Sequence, residues 1–363
     1  MKRSTIIFIV LYLVLFSLIG VWLYRKYFPQ RSSLDNQAQT INLGENKTIL
    51  YTINNDLYQL NTDNLNRNSA STGTSHLQSS GQIQTVALDP KNEFFVYDSI
   101  TADKTSEIWQ VSLKDNHLEK LFTAATPGFE AYKNFRSPKM SKIDRKLAFI
   151  ASSQGVDDIY VWDIENNTTS NLTLKSIPGK ITAFDWAETE SKIYFTTQDN
   201  NKTSFKLIDL NKKSSNLFEG ANQITKMEVL SDRIIVRFLD SDATANLGYL
   251  MLDKPEKIVP ITDLKAPSTI INFDLSPDSQ QIVYQAQNTN LKTNDLYIIN
   301  VDGTNLLQLS TDGQSQSPIF SPDTKKIAFY VKGSGIYTMN SSKNNKTKIL
   351  NEEKTINNLI LWR

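Results

Sequence analysis

The sequence predicts an all-β fold, a seven-bladed β-propeller (with six blades as the alternative), preceded by one N-terminal transmembrane helix. Three observations carry this prediction. A pattern of short runs of β-forming residues recurs about every 45 residues. A strand-like segment at the C-terminal end is left over after the last repeat is complete. The first 29 residues contain a long uncharged apolar run.

The repeated pattern is clearest in residues 274–284, DLSPDSQQIVY, and residues 320–329, FSPDTKKIAF. In each copy a Ser-Pro-Asp turn precedes a run of branched and aromatic residues, which favours a β-strand. Seven runs of this kind can be followed along the chain, and we interpret each as the second strand of a blade: Ile49–Tyr51, Phe94–Val96, Leu147–Phe149, Ile193–Phe195, Ile234–Val236, Ile282–Tyr284 and Ile327–Phe329.

The spacing of these runs sets the architecture. Their starts are 45, 53, 46, 41, 48 and 45 residues apart, and a period of about 40–50 residues without a helical pattern is typical of propeller blades of four strands. A third strand recurs with them: Asp56–Tyr58, Glu107–Trp109, Asp158–Tyr160, Ser204–Lys206, Leu247–Tyr249, Asp295–Tyr297 and Gly335–Tyr337. Six blades would follow if the weak region from Val229 to Phe238 is not a blade, and an open sandwich or two unrelated β domains remain alternatives.

The two ends of the folded domain, residues 45–363, predict how the propeller closes. The first unit begins at its second strand, near Lys47, without an inner strand before it. The surplus C-terminal strand, residues 356–362, resembles the inner strand Ile181–Trp186. We therefore expect it to pair with the first unit and to remove the open edges of the sheets.

Residues 1–29 are predicted to be a membrane anchor. Thr5 to Tyr24 form 20 uncharged residues, enough for a helix to cross the roughly 30 Å hydrocarbon core of a bilayer. A cleaved signal peptide is the main alternative, but its apolar part is usually about 7–15 residues and ends at a small-residue site. A buried core helix is the other. Residues 30–44 are polar and predict a solvated linker.

The orientation of the anchor is weakly encoded. Lys2 and Arg3 precede the apolar run, and Arg25, Lys26 and Arg31 follow it, so the positive-inside rule is nearly balanced. Because only a few residues precede the run, we expect the N-terminus inside and the propeller outside the cytoplasm, in a single-pass protein of the cell membrane.

The composition limits the partners and cofactors that the chain is expected to bind. The formal net charge is +1, from 39 basic and 38 acidic residues, which gives no electrostatic case for a nucleic-acid partner. The chain has no cysteine and two histidines, so spacing predicts no transition-metal site, and we predict no cofactor.

No catalytic motif is found. The pattern G-x-S-x-G is absent, and the adjacent Ser75 and His76 have no acid placed to orient the histidine. Asp278 and Asp323 follow Ser-Pro in short turns, where capping of the turn backbone is a simpler role than calcium binding. We therefore predict that the protein is not an enzyme.

The repeat resembles that of TolB-type β-propellers, which are related in layout to WD-repeat blades. The resemblance lies in 276–278, SPD, with Ile282–Tyr284, and in 321–323, SPD, with Ile327–Phe329; 88–90, LDP, with Phe94–Val96 is a weaker copy. It covers residues 45–363 as architecture. Families with such repeats include periplasmic TolB and the gating propellers of prolyl-oligopeptidase-like peptidases, so the resemblance implies a fold more than a function.

A binding surface is expected on the face formed by the loops between blades and by the loops between second and third strands. The connection from Thr123 to Arg136 belongs to this face, and we predict Phe129, Glu130, Tyr132 and Arg136 as binding residues, because aromatic residues and arginine are favoured at interfaces. The alternative is that Phe129 and Tyr132 pack down on the blade edges.

These observations predict a non-catalytic, membrane-anchored interaction scaffold that binds another envelope protein or an extended peptide. The alternative is a propeller that binds a carbohydrate or a small ligand, or a degenerate hydrolase. That alternative predicts a deep central funnel in which carboxylates and aromatic side chains converge.

Overall fold

The computed structural model describes residues 48–53, 56–62, 74–77, 81–115, 117–174, 176–177, 179–189, 191–200, 202–220, 222–352 and 356–362. The predicted anchor, residues 1–29, and the predicted linker, residues 30–44, lie outside these ranges. Within them, no helix is both long enough and apolar enough to span a bilayer. Their regular secondary structure consists of β-strands, as the all-β prediction requires.

The strands of the described residues form seven units of four. Unit 1 contains β28 (Ile356–Trp362), β1 (Thr48–Ile53), β2 (Asp56–Asn61) and β3 (Thr74–Leu77). Unit 2 contains β4 (Gln82–Leu88), β5 (Phe94–Ile100), β6 (Ser106–Ser112) and β7 (Leu118–Phe122). Unit 3 contains β8 (Asn134–Met140), β9 (Lys146–Ser153), β10 (Val156–Asp163) and β11 (Thr168–Asn171).

The remaining units follow the same order. Unit 4 contains β12 (Lys180–Trp186), β13 (Lys192–Asp199), β14 (Lys202–Asp209) and β15 (Ser214–Gly220). Unit 5 contains β16 (Ile224–Val229), β17 (Arg233–Leu239), β18 (Ala245–Met251) and β19 (Val259–Pro260). Unit 6 contains β20 (Ser268–Leu275), β21 (Gln281–Asn288), β22 (Thr293–Asn300) and β23 (Leu307–Gln308). Unit 7 contains β24 (Ser315–Phe320), β25 (Lys326–Val331), β26 (Gly335–Asn340) and β27 (Thr347–Asn351).

Each unit is an antiparallel sheet, and in units 2 to 7 the strands pair in chain order. Units 2 and 3 are joined into one larger sheet by a single parallel pairing, Ser106 with Asn134. In unit 1 the last strand of the chain takes the first place: β28 pairs with β1, with Trp362 opposite Ile49 and Ile356 opposite Ile53. The two ends of the described chain therefore lie in one sheet.

The predicted second-strand and third-strand runs lie in the second and third strands of the seven units. The weak region from Val229 to Phe238 supplies the end of β16 and most of β17, in a complete four-stranded sheet. Its apolar residues Ile234, Ile235 and Val236 are fully buried. The alternation and burial of its side chains are therefore enough to form the strands of this unit, even though its Ser-Pro-Asp turn is missing.

The core lies between units rather than within them. Among the described residues there are seven apolar clusters, and each joins two consecutive units; the cluster around Tyr51, Tyr330 and Trp362 joins unit 7 to unit 1. Because both faces of a sheet pack on neighbours, second strands such as β5 and β9 are buried along most of their length. This succession of interfaces returns to its start and forms a ring.

The Ser-Pro-Asp turns are held as the sequence predicted. The Ser276 hydroxyl donates to Asp278 Oδ1 at 2.6 Å, and the same oxygen accepts the Gln280 amide at 3.1 Å. Asp323 repeats this arrangement with Ser321 and the Lys325 amide. The turn-capping role of both aspartates is confirmed.

Bulges mark the first strand of every described unit. In two units the bulge carries a serine with positive φ followed by a proline, at Ser137 (φ 56°) and Ser317 (φ 51°). The amide of Ser137 donates to Asp98 at 3.0 Å, and that of Ser317 donates to Gln285 at 3.0 Å. Because each acceptor lies on the second strand of the preceding unit, the bulges tie neighbouring units together.

Candidate functional site

The two predicted aromatic binding residues are not at the surface. Phe129 and Tyr132 are 5% and 6% exposed. The ring of Phe129 lies 4.6 Å from that of Tyr160, and the Tyr132 hydroxyl donates to Asp158 Oδ2 at 2.8 Å. Burial, followed by the contacts with Tyr160 and Asp158, raises the pKa of Tyr132. The prediction of an aromatic interface here is wrong. The alternative, in which both rings pack against the blade edges, describes the structure, because Phe129 and Tyr132 lie in the apolar cluster between units 2 and 3.

The other two predicted residues have different surroundings. Glu130 is exposed and accepts the Gly128 amide at 3.0 Å. Hydrogen bonds from the backbone of Glu130 itself and of Gly128 hold the pKa of its carboxyl below the usual value. Arg136 lies in β8, not in the connection, and its guanidinium donates to Asp157 at 2.7 Å and to the carbonyl of Ile181 at 3.2 Å.

Glu130 and Arg136 are brought together by a surface cavity of about 820 Å³, which we call the rim groove. Its walls come from the β5–β6 turn, the connection before β8, the β9–β10 turn and the start of β12. The rim groove is lined by Ile100, Lys104, Ser106, Glu130, Ala131, Lys133, Asn134, Arg136, Ser152, Gln154, Gly155, Asp157 and Lys180. It therefore lies on the face where sequence placed the binding loops.

The rim groove is basic. Its four cationic side chains, two carboxylates and no histidine give a formal charge of +2, although the whole chain carries only +1. Lys104, Lys133 and Lys180 are exposed, and within the described part of the chain none of them is ion-paired with a carboxylate. Both carboxylates of the groove already have partners: Asp157 is ion-paired with Arg136, and Glu130 accepts a hydrogen bond from the backbone of its own turn.

A second cavity, of about 700 Å³, is lined by the first strands of all seven units; we call it the central channel. One side chain per unit lies opposite the middle residue of the second-strand run and lines this channel. These seven residues, the channel ring, are Leu361, Leu88, Lys139, Asp185, Glu228, Asp274 and Ile319 in order of units. One wall of the central channel is therefore charged and the other is apolar.

Lys139 is ion-paired with two carboxylates of the channel ring. Its ammonium lies 3.3 Å from Asp185 Oδ1 and 3.4 Å from Glu228 Oε1, and it donates to the Met227 carbonyl at 3.2 Å. Burial alone would lower the pKa of Lys139, but Asp185 and Glu228 raise it. Burial raises the pKa of Asp185 despite Lys139. The group thus forms an internally bonded network across units 3, 4 and 5.

Asp274 is less completely neutralised. Its Oδ2 accepts the Phe320 amide at 2.8 Å, while the nearby Lys226 donates to the Phe273 carbonyl at 2.7 Å. Burial raises the pKa of Asp274 to about 6, against the opposing effects of the Phe320 amide and Lys226. Among the described residues, no group of three or more histidine, cysteine or acidic side chains is arranged to hold a metal ion.

Asp274→Asn is expected to change the pH dependence of stability. The pKa of Asp274 is about 6 in the folded protein, against the ordinary value of 3.8. Between pH 4 and pH 6 the folded protein therefore keeps a proton on this carboxyl, whereas the unfolded chain has released it. The free energy of unfolding therefore falls as pH rises from 4 to 6. We expect Asp274→Asn to lose this slope and to be more stable than the wild type at pH 7.5 by about 1–2 kcal/mol. Urea unfolding between pH 4.5 and 7.5 measures both effects; an unchanged slope would contradict the assignment.

Sequence reasoning missed the channel ring, although a signal was present. Asp185, Glu228 and Asp274 each precede the last apolar residue of a first strand, in 181–186, ITAFDW, 224–229, ITKMEV, and 270–275, IINFDL. Aligning first strands against the middle of each second-strand run would have placed them at one level. The Ser-Pro pairs at 137–138 and 317–318 were a second unused signal.

No protein-family model matches this chain, and no curated protein matches it. Solved structures do. An oligogalacturonate lyase of Vibrio parahaemolyticus has a TM-score of 0.56 at 8% identity, over 85% of each chain. A TolB-like protein of Agrobacterium tumefaciens has a TM-score of 0.54 at 14% identity, over 78% of this chain and 97% of the other. The β-propeller domain of the Trilobed protease from Pyrococcus furiosus has a TM-score of 0.53 at 18% identity, over 74% and 85%.

At these identities the similarity defines the fold and no more. The chain has the β-propeller fold, in line with the TolB-type resemblance of its repeats. One similar structure is named as an enzyme and another as a TolB-like protein, so a shared fold does not choose between catalysis and binding.

Proposed function

We propose that this chain is a seven-bladed β-propeller that acts as a non-catalytic interaction scaffold and binds a partner protein at the rim groove. The rim groove itself carries the proposal: a cavity of about 820 Å³ is framed by loops on a rigid ring of sheets and lined by exposed polar side chains, Glu130 among them. Loops held by a rigid scaffold are common positions for binding residues.

The proposal includes the membrane. The apolar run Thr5–Tyr24 would anchor the chain, with the propeller on the extracytoplasmic side and an envelope protein as the partner. Protease protection on intact cells, with a tag at the C-terminus of the full chain, tests this placement. Digestion of the tag from outside agrees with it; a tag protected until the cytoplasmic membrane is opened would contradict it.

Site-specific crosslinking tests the rim groove. A photo-crosslinking amino acid at Gln154, which lies in the β9–β10 turn and lines the groove, is expected to capture a partner protein in intact cells. Lys343 is the control position, because it is exposed and lies in the turn between β26 and β27, on the opposite face of a propeller blade. Equal capture at both positions, or none at Gln154, would contradict the proposal.

A small-ligand function is the second candidate, and the central channel is the observation that favours it. Three carboxylates converge there, as that alternative predicted, but the aromatic rings that line the channel, Phe184 and Phe273, are buried at 3% and 1% exposure. A sugar would therefore find no open ring to stack on. A thermal-shift screen of small amines and sugars, with Asp274→Asn as the comparison, tests this candidate; stabilisation by amines that this variant abolishes would support it.

A further inference from the structure

We infer that the partner of the rim groove is an extended protein segment rich in aspartate or glutamate. This inference rests on the proposed function and adds the chemistry of the partner. Lys104, Lys133 and Lys180 come from three different loops or strand ends and line the same cavity. Their exposed ammonium groups have no carboxylate partner in the described part of the chain.

Arg136 gives the rim groove a fixed point. Its guanidinium is held by Ser152 at 2.7 Å, Asp157 at 2.7 Å and the Ile181 carbonyl at 3.2 Å, and its side chain remains 31% exposed. Since Asp157 largely neutralises this arginine, the excess positive charge comes from the three lysines.

The spread of the lysines favours an extended ligand over a small anion. A single exposed ion pair contributes only about 0–1 kcal/mol, so useful affinity requires several pairs formed together. One phosphate or acetate would occupy only a small part of a cavity of about 820 Å³ whose lysines come from three separate elements. An extended segment with repeated carboxylates can, because successive side chains of an extended chain are spaced along its length.

The exposed Glu130 adds selectivity. It stays ionised near neutral pH, since hydrogen bonds lower its pKa, and it would repel a carboxylate placed directly beside it. The ligand segment should therefore alternate acidic and neutral residues rather than carry an unbroken acidic run.

The test uses the purified full chain in detergent and two labelled peptides, (Glu-Ser)5 and (Gln-Ser)5, measured by fluorescence anisotropy. At low salt we expect the glutamate peptide to bind about tenfold or more tightly than the glutamine peptide, and added salt to weaken the binding. The triple variant Lys104→Glu, Lys133→Glu, Lys180→Glu should lose about tenfold or more of this affinity.

A matched control is available. Lys212, Lys213 and Lys343 are exposed lysines in turns between third and fourth strands, and Lys212 has almost the backbone of Lys104, with φ of 66° against 64°. The triple variant Lys212→Glu, Lys213→Glu, Lys343→Glu changes charge equally and should leave binding unchanged. Equal loss in both triple variants would show non-specific attraction and overturn the inference.

Three further outcomes are distinguishable. Inorganic phosphate that displaces the peptide at constant ionic strength would indicate a small-anion site and overturn the inference. Polygalacturonate that binds far more tightly than the peptide, through the same three lysines, would indicate an acidic-sugar ligand and also overturn it. Crosslinking at Gln154 that persists in the lysine triple variant, without acidic-peptide binding, would reject the acidic segment and leave the proposed function standing.

Discussion

Replacing Lys139 with alanine is expected to lower the free energy of unfolding by about 3 kcal/mol, since breaking a buried ion pair leaves its partners uncompensated. Lys139 lies within 3.4 Å of both Asp185 and Glu228. Asp185 is almost completely buried, at 6% exposure, and would lose the cation that lies against its carboxylate. The midpoint of urea unfolding, followed by tryptophan fluorescence, measures the loss.

Lys142→Ala is the matched control. Lys142 follows three residues later, but its side chain is 50% exposed and lies 3.6 Å from Glu188. An exposed pair of this kind contributes less than about 1 kcal/mol. The control should therefore lose less stability than Lys139→Ala, although Lys142 also donates to the Val229 carbonyl at 3.3 Å and helps to lower the pKa of Asp185. If the charge explanation is right, lowering the pH should narrow the gap between Lys139→Ala and the wild type, because protonation removes the unpaired carboxylates. A gap that does not change with pH would indicate lost packing instead.

Gly335→Ala is expected to destabilise the last unit by about 3 kcal/mol or more, the range of strained backbone combined with overpacking. Gly335 opens β26 with φ of 135°, and an added Cβ would lie 1.9 Å from the carbonyl oxygen of Leu350. This carbonyl is in β27, which pairs with β26 at Gly335 and Asn351. The side chain would therefore force the outer strand of unit 7 away, and the thermal midpoint should fall.

Gly333 provides the comparison, because it lies in the turn just before β26. Its φ is 70°, but a Cβ there meets nothing within 4 Å. Gly333→Ala should cost only the left-handed backbone penalty of about 1–2 kcal/mol. Equal effects of the two substitutions would mean that conformation, rather than the approach of Leu350, sets the requirement at Gly335.

The central channel and the rim groove place their charges differently. In the channel ring, Lys139 lies against two carboxylates, and removing it affects stability first. In the rim groove, Lys104, Lys133 and Lys180 face solvent, and reversing their charge should leave the fold intact while changing what it binds. Stability and binding can therefore be tested with separate sets of variants.

The sequence by itself determined the repeating β-structure of this protein. Runs such as Ile282–Tyr284 and turns such as Ser276–Asp278 encode strands and reversals through local propensity and side-chain capping, which act within a few residues. A surplus strand at 356–362 could also be recognised from the sequence, because a unit that lacks its first strand must take one from elsewhere or leave an edge open.

Only the tertiary structure decided what the side chains do. Phe129 and Tyr132 are residue types that are common at interfaces, but both are buried between units 2 and 3. Their burial depends on residues that are far away in the chain. Asp185, Glu228 and Asp274 meet in one channel only because consecutive first strands surround it at the same level. Lys104, Lys133 and Lys180 are distant in sequence, and the rim groove joins them because the ring of sheets brings their three loops and strand ends together. Local sequence specifies strands through short-range forces, whereas charge convergence depends on how whole units are arranged around the ring.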